Sequence, residues 1–224
     1  MLYRNYYLLG QTIIDRIVLL SGIPNRFRFD FDGEAHFHSM IAQKGGGLLL
    51  SAHVGNWEIA GHLLQRLNAP VYIVMFDGEH ESLKAYLKSI KAESKVNIIV
   101  LKEDLTHIYE ISDALKKNGL VCMHADRFLE GSRTFRTKLL GAEASFPAGP
   151  FALAATLKVP VSFVFAMKES SLQYHFYATP IRYAGSQDKE KEIKMMLEEF
   201  VGEMEKRIRQ YPEQWYNYYD FWKT

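Results

Sequence analysis

Short apolar runs alternate with amphipathic stretches along most of the chain. Runs of strand length occupy residues 48–52, 71–76, 97–101 and 120–124. In the stretches between them, such as residues 80–95, apolar positions recur every three or four residues, which is typical of helices packed on a sheet. This alternation predicts an α/β fold: a single domain whose mostly parallel central sheet is flanked by helices and joined by right-handed crossovers.

Other segments complete the predicted outline. Residues 26–32 alternate charged residues with Phe, which predicts a strand, and residues 187–209 form the longest helical pattern. Within residues 172–183, aromatic side chains alternate with other side chains, which predicts an edge strand. Pro180 is tolerated in an edge strand. Residues 125–147 are polar, basic and rich in Gly, which predicts a long loop, and such loops are usually functional or mobile.

The N-terminal segment is apolar over most of residues 6–20, although Asp15 and Arg16 interrupt it. It falls short of the ~20 apolar residues that span a bilayer, and the two charges are costly in hydrocarbon. Two interpretations stay open: a helix that packs on the domain, or a helix that lies in a membrane interface. We therefore divide the chain into an N-terminal helix, residues 1–25, and a main domain, residues 26–224.

Composition restricts the classes of function. The 224 residues are 48% hydrophobic and 24% charged, which predicts one globular domain with a sizeable core. The net charge of +1 comes without a basic block, so nucleic acid is not an expected partner. Cys122 is the only cysteine, which excludes an intramolecular disulfide.

The candidate chemistry lies where the first central strand ends. His53 follows the apolar run, and Glu58 comes five positions later, near the start of the next predicted helix. Ligand crevices of open α/β folds usually lie at such strand ends. A His there can act as a general base toward a hydroxyl, and a carboxylate can hold its tautomer and support its charge. Ser51 is a weak candidate for a covalent nucleophile, so direct transfer to an acceptor hydroxyl is the simplest reaction. The spacing alone is also compatible with a chance surface pair.

Residues 51–58, Ser-Ala-His-Val-Gly-Asn-Trp-Glu, resemble the His-x4-Glu box of the bacterial lipid A biosynthesis acyltransferases of the lauroyl/myristoyl type. These enzymes are related to the glycerophosphate and lysophospholipid acyltransferases, whose box is His-x4-Asp. Residues 146–149, Phe-Pro-Ala-Gly, residues 158–161, Lys-Val-Pro-Val, and residues 211–214, Tyr-Pro-Glu-Gln, are similar to further segments of these families. The resemblance extends from about Phe27 to the end of the chain and implies a glycerolipid-acyltransferase-like fold, with residues 26–224 as the acyltransferase domain.

The resemblance implies an O-acyltransferase that moves a fatty acyl chain from acyl-carrier protein, or another acyl thioester, to a hydroxyl of a lipid A-type or other membrane lipid. The family usually carries an N-terminal membrane anchor before this region, and none is visible in this sequence, so we expect a peripheral position on the membrane surface, at the cytoplasmic face of the inner membrane. Neither a metal nor a bound cofactor is required. Two other classes stay open: a catalytically inactive lipid- or acyl-carrier-binding module, and a hydrolase that uses water as the acceptor.

The resemblance also implies roles for individual residues. His53 is the expected general base, Glu58 orients it, and Asp126 positions the acceptor or the imidazole. The expected substrate-binding residues are Asn56, Arg127, Arg133, Arg136 and Gly149. Arg127 departs from the Gln or His that the family more often has after the acidic residue. On charge alone the other two arginines belong to a solvated basic loop, but a guanidinium is also well suited to bind a phosphate.

Overall fold

The computed structural model of the chain describes residues 2–20, 24–57, 59, 64, 67, 69–76, 97–102, 104 and 106–222. The described helices are α1 (Leu2–Leu20), α2 (Glu34–Ala42), α3 (Thr106–Lys116), α4 (Gly149–Leu157) and α5 (Lys189–Gln210), followed by a 3-10 turn at Pro212–Gln214. The described strands are β1 (Arg28–Asp32), β2 (Gly47–Ser51), β3 (Val71–Phe76), β4 (Asn97–Leu101), β5 (Leu120–His124), β6 (Thr134–Leu139), β7 (Ala142–Pro147), β8 (Val161–Ser170) and β9 (Gln173–Ala178). Trp57, Ile59 and Leu64 are also helical. The helix predicted over residues 80–95 lies outside the described residues.

Seven of these strands form one sheet in the order β1-β9-β8-β2-β5-β3-β4. Neighbouring strands are parallel except β8 and β9, which are antiparallel. The predicted α/β fold with a mostly parallel central sheet is therefore confirmed. β2 lies at the centre, hydrogen-bonded to β5 on one side and to β8 on the other. The residues that follow β2 are thus flanked by other strands on both sides.

The apolar run of β2 is buried on both faces of the sheet. Leu48 and Leu50 pack into a cluster with side chains of α3, α4 and α5, whereas Leu49 packs into a second cluster with side chains of α2 and β9. Successive residues of a strand point to opposite faces. A strand that is covered on both faces therefore needs a continuous apolar run and not an alternating one. All three leucines are fully buried.

The segment predicted as a long loop, residues 125–147, contains a hairpin. β6 pairs antiparallel with β7, and Leu140 and Gly141 form the two-residue turn between them with φ values of +53° and +90°. Leu139 and Phe146 are buried in the same cluster as α5. The loop prediction was wrong because the polar residues of the hairpin occupy its outer face. Three buried residues of the hairpin, Leu139, Ala144 and Phe146, and a turn with two positive φ values hold the strands together.

The edge position predicted for residues 172–183 was also wrong. β9 lies between β1 and β8 and pairs with both, so β1 is the edge strand. Pro180 lies beyond the end of β9 and takes no place in its ladder. Alternating aromatic residues correctly predicted a strand, but they carry no information about a neighbour that is distant in the sequence.

Polar contacts attach α1 to the rest of the chain. The side-chain amide of Asn5 donates to the carbonyl of Glu213 at 2.9 Å. Asp15 accepts hydrogen bonds from the Nζ of Lys168 and from the hydroxyl of Tyr174, and all three side chains are buried. Across the described ranges, no helix has both the length and the hydrophobicity needed to cross a bilayer. The domain division predicted after residue 25 stays a prediction.

Candidate active site

His53 lies two residues beyond β2, at the carboxyl end of the sheet. Ser51 of β2 stands opposite His124 of β5, and the amide of Ala125 donates to the carbonyl of Ser51 at 2.9 Å. The two parallel strands therefore end side by side. The residues that follow them, His53 and Asp126, meet at this edge, which is where open α/β folds bind ligands.

His53 and Asp126 form a buried pair. The Nδ1 of His53 lies 2.9 Å from Oδ1 and 3.1 Å from Oδ2 of Asp126, and the backbone N–H of His53 donates to Oδ2 at 3.0 Å. His53 is 7% exposed and Asp126 is 1% exposed. Because an ionised carboxylate only accepts hydrogen bonds, Nδ1 carries a proton, and in the uncharged form of the ring Nε2 then has the lone pair.

Asp126 is ionised despite its burial. Burial by itself raises the pKa of a carboxyl group, but the hydrogen bonds and charge of His53 outweigh it, so the pKa of Asp126 is lowered. The imidazole therefore has a fixed negative charge beside Nδ1. Such a charge stabilises the imidazolium that forms when the ring takes up a proton.

Two further aromatic rings surround His53. The ring centroid of His124 lies 4.3 Å from that of His53, and the ring centroid of Trp57 lies 4.9 Å from it. Burial, followed by the charge of His53, lowers the pKa of His124 to about 3, so this imidazole is uncharged at neutral pH. His124 was not among the residues expected from the sequence. Its position at the end of an apolar strand is the signal that could have indicated it.

The loop that carries His53 is held between β8 and residues 211–222, which we call the C-terminal segment. The amide of Gly55 donates to the carbonyl of Gln214 at 2.8 Å, and the next amide donates to a carbonyl of β8 at 2.7 Å. The amide of Tyr216 donates to the carbonyl of His53 at 3.3 Å. The C-terminal segment therefore supports the site directly. The amide of Gly55 is fully used in this contact.

The side chain of Gln214 joins the C-terminal segment to β8. Its Oε1 accepts from the backbone N–H of Lys168 at 2.8 Å, and its Nε2 donates to the backbone carbonyl of Lys168 at 2.7 Å. Gln214 is buried, so each of these polar groups would lose its partner without regaining water if the side chain were removed. This paired contact aligns the segment that holds the His53 loop.

Gly55 occupies a position in this loop where a side chain is poorly tolerated. Its φ is +72°, and a Cβ built there would lie 2.2 Å from the carbonyl oxygen of Ala166. We expect Gly55→Ala to displace the loop, to lower the free energy of unfolding by about 1–3 kcal/mol, and to impair the activity of the site. Gly202→Ala on α5 is the control, because no atom lies within 4 Å of its new Cβ. That change should stabilise the helix by about 0.5–1 kcal/mol. Denaturant unfolding of both variants measures the difference, and equal stabilities would contradict the prediction.

Asn56 is buried and uses its side chain within the protein. Its Nδ2 donates to the carbonyl of Thr12 in α1 and to the hydroxyl of Tyr174 in β9, both at 3.3 Å. Its Oδ1 accepts from the amide of Ile59 at 3.4 Å, at the start of the following helix. These contacts give Asn56 a structural role that joins the His53 loop to α1. Its expected contact with substrate stays a prediction.

Arg127 connects the end of β5 to the C-terminal segment. Its Nη2 donates to the carbonyl of Tyr216 at 3.2 Å, and its guanidinium carbon lies 5.5 Å from the ring centre of Tyr219. The structure therefore brings Arg127 to the site as a support for the segment that also holds His53. A substrate contact of Arg127 stays a prediction.

The other expected site residues lie on different elements. Arg133 and Arg136 are exposed on the hairpin, and Arg133 pairs with Glu190 of α5 at 2.8 Å. Gly149 is the first residue of α4, and open space surrounds the position of its missing side chain. Glu58 lies outside the described residues. The roles expected for these residues stay predictions.

In the part of the chain that the structure describes, one group of side chains has the spacing of metal ligands. It consists of Asp30, Glu169 and His175, whose ligand atoms lie within 4.8 Å of one another. The imidazole of His175 lies 3.1 Å from the carboxylate of Glu169 and 3.2 Å from that of Asp32. The side chain of Gln173 donates to Asp30, so each member of the group has a protein partner.

The geometry around His53 supports proton transfer. An imidazole whose Nδ1 is held by a buried carboxylate, and whose Nε2 has no hydrogen-bond partner among the residues that the structure describes, is arranged to remove a proton from a hydroxyl or from water. Burial raises the strength of these electrostatic interactions because the surrounding dielectric is low. The site is therefore suited to activate an oxygen nucleophile.

The chain is similar to known proteins over nearly its whole length. A family model described as bacterial lipid A biosynthesis acyltransferase matches residues 9–224. The crystal structure of the 1-acyl-sn-glycerophosphate (LPA) acyltransferase PlsC from Thermotoga maritima is similar with a TM-score of 0.46 and 15% identity, over 92% of this chain and 82% of that chain. No curated protein sequence matches the chain. The matched range of the family model includes the His53 loop, Asp126 and the C-terminal segment.

Proposed function

The chain belongs to the bacterial lipid A biosynthesis acyltransferase family, and from this premise we propose that it transfers a fatty acyl chain from a thioester donor to a hydroxyl of a membrane lipid. The donor is acyl-carrier protein or another acyl thioester. The acceptor is a lipid A-type precursor or a similar amphiphile with a free hydroxyl. The observation that carries the proposal is the buried His53–Asp126 pair, an oriented base at the carboxyl end of the sheet.

In the proposed reaction, Nε2 of His53 removes the proton of the acceptor hydroxyl while the hydroxyl oxygen attacks the thioester carbonyl carbon. The new C–O bond forms as the carbonyl electrons move onto oxygen, which gives a tetrahedral intermediate. When this intermediate collapses, the C–S bond breaks and the departing thiolate takes the proton from the imidazolium. The ester and the free thiol leave, and His53 returns to its neutral form. All bonds and protons of this transfer are accounted for by the acceptor, the thioester and His53, so the reaction requires neither a metal nor a cofactor.

Asp126 takes the orienting role that the resemblance assigns to Glu58. Its carboxylate occupies Nδ1 of His53. A second carboxylate can then reach the ring only at Nε2, which is the atom that the reaction needs free. We therefore assign the orientation of His53 to Asp126. Glu58 is left to act on the donor or on the acceptor.

The negative charge of the tetrahedral intermediate requires hydrogen-bond donors. His124 is uncharged at neutral pH and lies beside His53, so one of its ring nitrogens can offer an N–H to the developing oxyanion. Backbone amides at the start of α4, near Gly149, are a second source, because the first amides of a helix have no partner within the helix.

The acceptor determines where the enzyme works. A lipid substrate is held in a bilayer, so we place the protein on the membrane surface as a peripheral enzyme. The family implies the cytoplasmic face of the inner membrane, where acyl-carrier protein is available. Phosphate groups of the donor or the acceptor would contact Arg133 and Arg136, which are exposed on the hairpin.

The proposed function is tested by acyl transfer from radiolabelled acyl-carrier-protein thioesters to a membrane lipid extract. A labelled lipid that forms with the native protein, and not without it, supports the proposal, and its mass identifies the acceptor. Free fatty acid as the sole labelled product would identify a hydrolase. Retention of acyl-carrier protein or lipid without any product, for donors of several chain lengths, would identify an inactive binding module.

A further inference from the structure

α1 turns polar side chains toward the protein at positions where a packed helix ordinarily has apolar ones. Asn5, Thr12 and Asp15 are 8%, 6% and 8% exposed, whereas the buried stripe of a helix on a globular domain is normally apolar. Replacement of a buried ion pair by apolar residues is often neutral or even stabilising. Stability therefore does not explain why these positions are polar, and the groups that they hold point to another reason.

A chain of buried hydrogen bonds connects Asp15 to the loop that carries the base. The carboxylate of Asp15 pairs with the Nζ of Lys168 and accepts a hydrogen bond from the hydroxyl of Tyr174, which is fully buried. The same hydroxyl accepts from the Nδ2 of Asn56 at 3.3 Å. Asn56 comes three positions after His53. An ion pair beneath α1 is thus connected to the His53 loop through a single tyrosine.

The Asp15 carboxylate sets the direction of these hydrogen bonds. A carboxylate paired with an ammonium group only accepts, and a hydroxyl has one proton to donate. Burial, followed by the hydrogen bond to Asp15, raises the pKa of the Tyr174 hydroxyl, so it keeps this proton. Tyr174 therefore donates to Asp15 and accepts from Asn56. The amide of Asn56 must then present its Nδ2 to Tyr174, and its Oδ1 faces the opposite side.

The orientation of the Asn56 amide determines what the loop contacts on both sides. Its Oδ1 accepts from the backbone N–H of Ile59 at 3.4 Å, and its Nδ2 also donates to the carbonyl of Thr12 at 3.3 Å. The backbone N–H of Asn56 donates to the carbonyl of Ala166 in β8 at 2.7 Å. A reversed amide would place Oδ1 against a carbonyl oxygen and Nδ2 against an N–H group. The orientation set by Asp15 is therefore the one that holds the loop in place.

α1 also holds the segment that supports the loop from the other side. The Nδ2 of Asn5 donates to the carbonyls of Glu213 and Trp215 at 2.9 and 3.2 Å. The carbonyl between them, that of Gln214, accepts from the amide of Gly55 at 2.8 Å. The polar side of α1 thus contacts the loop directly and also contacts its support.

We propose that Asp15 and Tyr174 are positioning residues of the reaction: they fix the amide of Asn56, and through it the loop that places Nε2 of His53 against the acceptor hydroxyl. This inference rests on the proposed function, because the group that is positioned is its general base. A buried polar network in which each side chain has a partner specifies one arrangement of the chain. A displacement of about 1 Å at a reacting group can cost about 10²-fold in rate, so the network contributes to turnover without contact with substrate.

Tyr174→Phe tests this role because it removes only the hydroxyl and leaves the buried ring and the ion pair in place. The kcat for acyl transfer is expected to fall by about 10–100-fold, with KM values close to those of the wild type. Tyr183→Phe is the matched control, because it removes a hydroxyl that donates to Gln43 at the surface. Its kcat should equal that of the wild type. All rates are compared at a temperature at which each protein is folded.

A second variant separates positioning from stability. Asp15→Asn alone would leave a buried ammonium unpaired, so it is combined with Lys168→Met. The double variant keeps the Tyr174 hydroxyl but loses the charge that sets its direction. We expect kcat to fall by about tenfold, although the midpoint of denaturant unfolding stays at or above that of the wild type. Wild-type kcat in this variant and in Tyr174→Phe would overturn the inference.

Hydrogen exchange distinguishes a failure of this inference from a failure of the proposed function, because it needs no catalysis. In Tyr174→Phe the amides of Gly55 and Asn56, both hydrogen-bonded in the native protein, should exchange faster, and those of β2 and β5 should not change. If the wild type transfers no acyl chain, this pattern still supports positioning of the loop while the acyltransferase proposal fails. Faster exchange confined to α1, with unchanged kcat, would give the network a structural role alone and overturn the inference. Unchanged exchange in the loop would overturn it as well.

Discussion

Replacement of His53 by Ala is expected to lower the turnover number by about 10²–10⁴-fold, which is the usual contribution of a general base. Nε2 is the atom that takes the proton of the acceptor hydroxyl. Asp126 does not substitute for it, because its pKa is lowered and its oxygens are bonded to His53. Initial rates of acyl transfer at saturating donor and acceptor measure the effect. The KM values should change little, since the imidazole contributes to the transition state more than to binding.

Two further variants separate the chemistry of His53 from folding. His53→Gln retains an amide that can donate to Asp126, so the buried carboxylate keeps a partner while the base is lost. His38→Ala removes an exposed imidazole from α2 and should leave turnover unchanged. A His53→Gln protein with native thermal unfolding and wild-type turnover would refute the assignment of the base.

The second largest effect is expected for Asp126→Asn, with a loss of turnover of roughly 10²-fold or more, as in other sites where a carboxylate orients an imidazole. The Asn side chain is neutral and does not stabilise the imidazolium. Its NH₂ group can also donate to Nδ1 of His53, which moves the ring proton to Nε2 and blocks the base. Steady-state kinetics of the variant measure this loss.

Two comparisons define the role of Asp126 more closely. Asp113→Asn removes a carboxylate of α3 from an exposed ion pair with Lys117. It should leave turnover unchanged and should change the free energy of unfolding by no more than about 0.5 kcal/mol. Glu58→Gln makes the same chemical change at the residue that the family box supplies. If Glu58→Gln abolished turnover while Asp126→Asn left it intact, the orienting role would belong to Glu58.

The same Asp126→Asn substitution should alter the acid sensitivity of the fold. An unfolded Asp has a pKa of about 3.9, and the folded Asp126 has a lowered pKa. Its stabilising contribution is therefore fully present above the unfolded pKa and is lost as the pH falls through the folded pKa. Asp126→Asn should lower the free energy of unfolding at neutral pH and reduce its decline below about pH 4. Denaturant unfolding at several pH values checks this, and an unchanged slope would contradict it.

The central strands could be predicted because their signal is local. Leu48 to Leu50 form a continuous apolar run, and the structure buries them on both faces of β2. The end of this run also predicted where His53 would lie relative to the sheet. The hairpin of β6 and β7 was missed because its inner face has few apolar positions. The edge position of β1 was missed because strand neighbours in a sheet need not be neighbours in the sequence.

The amino-acid sequence by itself determined the fold class, the strand that ends at His53 and the family box around it, since these depend on residues close together in the chain. Only the tertiary structure decided the partner of His53. Asp126 lies 73 positions away, and it reaches Nδ1 because β2 and β5 are neighbours in the sheet. The tertiary structure also decided which side of α1 faces outward, because Lys168 and Tyr174, 153 and 159 positions from Asp15, hold its polar side inward. Periodicity shows that a helix has two faces, but the side chains that meet each face come from distant parts of the chain.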